Sequence, residues 1–306
     1  MNTSTFSILS RLGLACWLVL VAGTAVATPA ASCPPAGHSK ASLLALKTKQ
    51  FKLDDASQAP TLALALLPCL SDPDPLLRDE IGFEALQALM RNNQLNQPTL
   101  YQLRSALLQQ LKPDPNDQQG FAQPFAALML AEVARADRKQ PFLSPQERQQ
   151  MVDAASTFLT SVRDYRGFDE KSGWRHGVAH GADFMLQLAL NPALERAQQE
   201  TILTALLSQI APAKHAYQYS EGERLMAPLY YLAMRAPLSG TDWQAWFTRL
   251  LAPFKAAPQN TQAKLTLRHN LNGFLLPLYF TLQESSDAEV RKKLLPAVVL
   301  ALKELG

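Results

Sequence analysis

The densest cluster of reactive side chains lies mid-chain, between Asp164 and Asp183, and includes Arg166, Trp174, His176 and His180. His176, His180 and Asp183 are spaced i, i+4, i+7. On a helix turning about 100° per residue they share one stripe with Gln187, roughly 60° wide. Nearly every other position from Gly177 to Leu190 is apolar or glycine. A helix apolar almost all round is buried, so its polar stripe should face an interior cleft. Two imidazoles one turn apart can hold a divalent ion, zinc or another, and a carboxylate on the next turn can complete or orient the set. The helical zinc proteases carry a Glu after the first His; Gly177 stands there, so that general base is missing. The same residues also suit a metal-free ligand site, or a hydrogen-bond network that ties helices together. The residue types leave all three readings open.

The segment that feeds this helix adds Asp164, Arg166 and Trp174. Arg166 could clamp a carboxylate or phosphate with two parallel bonds, and Trp174 could offer a flat face to a ring or sugar. The competing reading pairs Arg166 with Asp164 or Asp183 and puts Trp174 in the core. Further along, Ser220-Glu221-Gly222-Glu223 has the form of a capping box, which accounts for Glu223 without a functional role. Arg268 sits among Leu265, Leu267, Leu271, Phe274 and Leu275. A buried arginine there needs a carboxylate, with Asp79, Asp183 and Glu223 as candidates.

These residues need a scaffold, and the rest of the chain supplies helices. From residue 40 onward, apolar positions recur at helical spacing between Pro, Asp and Asn breaks. Segments are expected at 42–51, 59–70, 76–91, 98–111, 121–136, 145–163, 175–190, 194–210, 221–235, 242–254, 262–283 and 288–305. No alternating β-branched run appears, so no sheet is expected. Short connections favour antiparallel neighbours, giving an all-α, irregular α–α array of about a dozen helices. The run 66–80, an apolar helix end, an Asp-Pro turn and then Arg78-Asp79, has the form of a HEAT-repeat turn, but no regular period recurs elsewhere.

The 306 residues are 47% hydrophobic and 18% charged, with a net charge of +3. That balance fits a globular chain and lacks the clustered basic footprint of a nucleic-acid binder. Residues 1–27 read as a signal peptide: one charge at Arg11, an apolar run, then Ala25-Val26-Ala27 as a cleavage site. The mature protein is then expected to be periplasmic or secreted, with no transmembrane segment. Residues 28–39 form an exposed lead-in, and 40–306 a single helical domain. The mature chain keeps Cys33 and Cys69, a pair that suits one disulfide in an oxidising compartment. Lipidation of Cys33, or two buried thiols, are the alternatives.

Arg-Gly-Phe at 166–168, Gly-Trp-x-His-x-x-x-His-x-x-Asp at 173–183, Leu77-Arg78-Asp79-Glu80, and Arg268-His269-Asn270-Leu271 resemble the bacterial domain of unknown function numbered 2785. The resemblance spans about residues 75–285. It implies a HEAT-like, all-helical fold and no particular activity. Gly173-Trp174-Arg175-His176-Gly177 is also similar to turns of lanthionine-cyclase-like toroids, whose zinc is held partly by cysteines; no cysteine follows Cys69 here. The expectation is a binding or scaffold protein with a polar cleft, taking a small molecule or a protein partner. The alternative is a metal-assisted hydrolase or lyase using His176, His180 and Asp183.

Overall fold

Helix starts fall where capping side chains stand. Ser39 and Ser144 each accept a bond from the backbone three residues on, in reciprocal capping boxes, and Asn96, Thr261 and Asp287 cap three more helices. The computed structural model describes residues 1–2, 32–235 and 240–306, without the side chains of 240 and 241. The expected signal peptide, beyond its first two residues, and residues 28–31 of the lead-in lie outside the described residues.

The helices are α1 (Lys40–Thr48), α2 (Ala59–Ala65), α3 (Glu84–Arg91), α4 (Gln97–Gln110), α5 (Ala122–Lys139), α6 (Pro145–Ser161), α7 (Gly177–Ala189), α8 (Arg196–Ile210), α9 (Glu221–Arg235), α10 (Gly240–Ala256), α11 (Gln262–Glu284) and α12 (Ala288–Leu305). The all-α reading holds, with two local differences. The segment 59–70, expected as one helix, tightens into a 3-10 turn at Leu67–Ser71 after Ala65, where Pro68 removes a helical donor. Residues Leu76–Phe83, expected as the first half of an α-helix, are wound as a π-helix that runs on into α3.

The array has two layers. α3, α5, α7, α9 and α11 pack one on the next, and α6, α8 and α10 do the same on the other side. α4 and α6 cover α5 and α7, and α12 closes the end against α9, α10 and α11. Residues 31–306 form one compact unit. Its core is aliphatic and aromatic, with Phe121, Phe184, Trp243 and Phe274 among the fully buried side chains. Cys33 and Cys69 are joined by a disulfide, which ties the lead-in to the 3-10 turn.

Candidate functional site

α7 lies between α5 and α9, its two most extensive neighbours, with α6 beneath. Gly181 is what lets α6 approach. A Cβ there would stand 3.0 Å from Leu159 and 3.3 Å from Phe158. Helix packing therefore explains this glycine.

The polar stripe of α7 faces the seam between α5 and α9, and each member meets a different group. His176 precedes the helix in the left-handed region, at φ 51°. Its Nε2 lies 3.5 Å from Glu221 Oε1, too weak a contact to count as a hydrogen bond, and this buried nitrogen has no hydrogen-bond partner among the described residues. Burial pushes the Glu221 carboxyl up, but the His176 contact and backbone N–H groups outweigh it and hold the pKa below the usual range. His180 is buried, with Nδ1 3.2 Å from the Pro124 carbonyl on α5. Burial, aided by repulsion from His176 and Arg224, pushes its pKa down to about 3. The ring is therefore neutral near pH 7. A carbonyl only accepts, so Nδ1 carries the proton and Nε2 presents a lone pair. Among the described residues nothing donates to that lone pair.

Asp183 receives a 2.7 Å bond from Arg224 of α9. Burial still outweighs the arginine and pushes the carboxyl up to about 6. Gln187, the last of the stripe, accepts from Arg138 of α5. The metal set read from the sequence is thus not assembled. Among the described residues no three His, Cys, Asp or Glu side chains are placed to share an ion. Helical spacing gave the three a common stripe, but α5 and α9 draw them toward separate partners.

The loop before α7 is a hairpin, which corrects the expectation of no sheet. β1 (Phe168–Asp169) pairs antiparallel with β2 (Gly173–Trp174), with Phe168 opposite Trp174. Asp169 turns the chain by accepting from the N–H groups of Lys171 and Ser172. Two-residue strands are too short for alternation to show. The hairpin presents Trp174 rather than burying it; 37% of the residue is exposed. The indole stacks on His176 at 4.8 Å, and Tyr219 meets its edge at 5.6 Å. These rings wall a cleft of about 400 Å³, completed by His180, Asp79, Phe125, Glu223 and Arg224. Asp79 is pushed up by burial, against the pull of Arg78.

The other sequence candidates fall outside this cleft. Arg166 forks onto Asp164 at 2.8 Å on an exposed surface, so neither is free to clamp a ligand. Arg268 is exposed, not buried, and donates to the Gly306 carbonyl. Of the apolar neighbours that suggested burial, Leu267, Leu271, Phe274 and Leu275 are buried, but Arg268 shares the exposed side of the helix with Leu265. Arg104 and Arg175 are buried, and Arg78 is the most completely enclosed: it donates to Asp79 and to the carbonyls of Asp72 and Ser172 and stacks on Phe121 at 3.8 Å. No capping box forms at Ser220, which is left-handed at φ 62°; Glu221 instead accepts from the Tyr219 N–H, and Glu223 is exposed at the cleft. Asp79, Tyr219 and Glu221 were missed as site residues. The signal available was Arg78-Asp79 in the turn motif.

The family model described as Protein of unknown function (DUF2785) matches residues 107–280. The chain belongs to this family. The match takes in the hairpin, α7 and α9, but begins after Leu77-Arg78-Asp79-Glu80, so it is narrower than the 75–285 read from the sequence. No curated protein and no solved structure matches the chain.

Proposed function

We propose that the protein is a binding protein whose ligand is a small, hydroxyl- or amine-bearing ring compound such as a sugar, held in the cleft at the head of α7. The observation that carries this is His180. Its neutral ring turns an unpaired lone pair toward a cleft walled by the Trp174 and Tyr219 rings. Asp79 and Glu223 add acceptors and Arg224 adds a donor, so hydroxyl or amine groups suit the lining. Trp174 and Tyr219 supply flat apolar contact at low conformational cost. His176 and Ser220, both left-handed, line this same cleft, and backbone strain of that kind concentrates at ligand sites. The metal-assisted hydrolase or lyase reading draws no comparable support, because Asp183 is engaged by Arg224.

We further propose that the protein works outside the cytoplasm after loss of residues 1–27. The Cys33–Cys69 disulfide supports this.

Trp174 makes the test direct. Of four tryptophans, Trp17 leaves with the signal peptide, and Trp243 and Trp246 are buried. Titrating the mature protein with monosaccharides, amino sugars and polyols should give a saturable fluorescence change for at least one class. His180→Asn should weaken that binding about ten-fold or more, because a buried acceptor is lost. If no compound saturates the signal, or if Trp174→Phe leaves it in place, the reading is wrong.

A further inference from the structure

The far end of α5 carries a second polar hollow of about 530 Å³. It is lined by Arg91, Arg135, Lys139 and Gln140 on one side and by Asn96 and Gln97 at the start of α4 on the other. Its charges do not balance. Arg91 is neutralised by Glu132, which it grips at 2.9 Å and which also accepts from Gln87. Arg135 is half-buried and, like Lys139, has no ion-pair or hydrogen-bond partner among the described residues. Arg138, one turn from Arg135 but outside the lining of the hollow, donates to Gln187 and leaves its buried Nε unbonded. No carboxylate lines the hollow.

Helix ends give a partial account of this arrangement. Cations gather near C-termini because the exposed carbonyls there are partly negative, and Arg91, Arg138 and Lys139 lie in the last turns of α3 and α5. That does not explain why Arg135, a turn further in, stays half-buried beside other cations with no acceptor. Arg138 registers the crowding: its pKa is lowered first by burial, then by Arg135 and Arg235, with only Glu132 opposing. Facing these cations is the N-terminus of the 14-residue α4. Pro98 has no N–H and the Thr99 N–H is capped by Asn96, which leaves the Gln97 N–H and the positive end of the helix dipole toward the hollow.

We propose that this hollow is an anion-binding site for a small molecule carrying a phosphate or carboxylate group, with Arg135 as its principal donor. The guanidinium fork matches either group with two parallel bonds. Lys139 and the start of α4 supply the remaining positive field. The site is separate from the cleft at the other end of α5.

Isothermal titration of the mature protein with inorganic phosphate and with citrate tests this, at an ionic strength held constant with sodium chloride. Saturable binding of at least one anion is expected; the tighter of the two identifies the group recognised. Arg135→Gln should weaken it ten-fold or more, Arg135→Lys should retain part, and Arg196→Gln, a remote surface change, should alter nothing. Absence of binding to both anions overturns the proposal, as does equal affinity in Arg135→Gln. If Arg135→Gln does not fold, amide shifts of the native protein on adding phosphate decide. They must include Gln97 and Gln140; shifts confined to other regions overturn the proposal.

Discussion

Replacing His180 by asparagine removes a group that makes the fold sensitive to acid, while keeping an N–H for the Pro124 carbonyl. The folded imidazole has its pKa lowered from the ordinary 6.5 to about 3. Between those values the unfolded chain holds a proton that the folded chain refuses, so stability must fall as pH drops through this window. Each pH unit inside the window is worth about 1.4 kcal/mol. Going from pH 7.5 to 4.5 crosses about two units of it, a loss of about 2–3 kcal/mol from this one side chain. Asp183 works in the opposite sense. Its pKa is raised from the ordinary 3.8 to about 6, so the folded carboxyl carries a penalty at neutral pH that acidification relieves. That relief is about 2 kcal/mol over the same interval. The two effects nearly cancel in the native protein, so the native pH profile alone reveals neither. Urea denaturation of native and variant protein at pH 7.5 and 4.5, in matched salt, separates them. His180→Asn should gain about 2–3 kcal/mol on the native protein as the pH falls, and Asp183→Asn should lose about 2 kcal/mol relative to it. A difference between native protein and His180→Asn that stays constant from pH 7.5 to 4.5 would refute the buried neutral imidazole.

Arg78→Met should cost about 3–5 kcal/mol, because Asp79 and two carbonyls lose their buried donor, whereas Arg268→Ala should shift the melting temperature by no more than a degree or two. The same thermal melts check both. Mass spectrometry of alkylated, unreduced protein should find Cys33 and Cys69 blocked; reduction should lower stability by about 3–4 kcal/mol for a 36-residue separation. Gly222→Ala should destabilise by about 1–3 kcal/mol or more, since its Cβ would fall 2.4 Å from the Gly273 carbonyl oxygen, a backbone atom with nowhere to move. Gly273→Ala meets open space and should stabilise slightly; equal costs for the two glycines would show that the α9–α11 approach is misjudged.

Much of the scaffold was legible in the chain. Helical periodicity located α9 and α12 to the residue and most other helices within two or three, because it is a local signal, although the cap expected at Ser220 did not form. The pairing of Cys33 with Cys69 was expected because they are the only two cysteines beyond residue 27. The shared stripe of His176, His180 and Asp183 followed from spacing along α7. What faces that stripe did not follow. A helical wheel orients side chains about one axis and carries no information about the helices that pack on it. Packing gave His180 to the Pro124 carbonyl and Asp183 to Arg224, set Tyr219 and Asp79 around the cleft from distant positions, and put Glu221 beside His176. Apolar neighbours in sequence suggested burial for Arg268, yet it lies on a face of α11 that also exposes Leu265, while Arg78, Arg104 and Arg175 are the arginines that packing buries. Burial is a property of packed surfaces, and only the tertiary structure decides which charged groups lose their water and which partners compensate them.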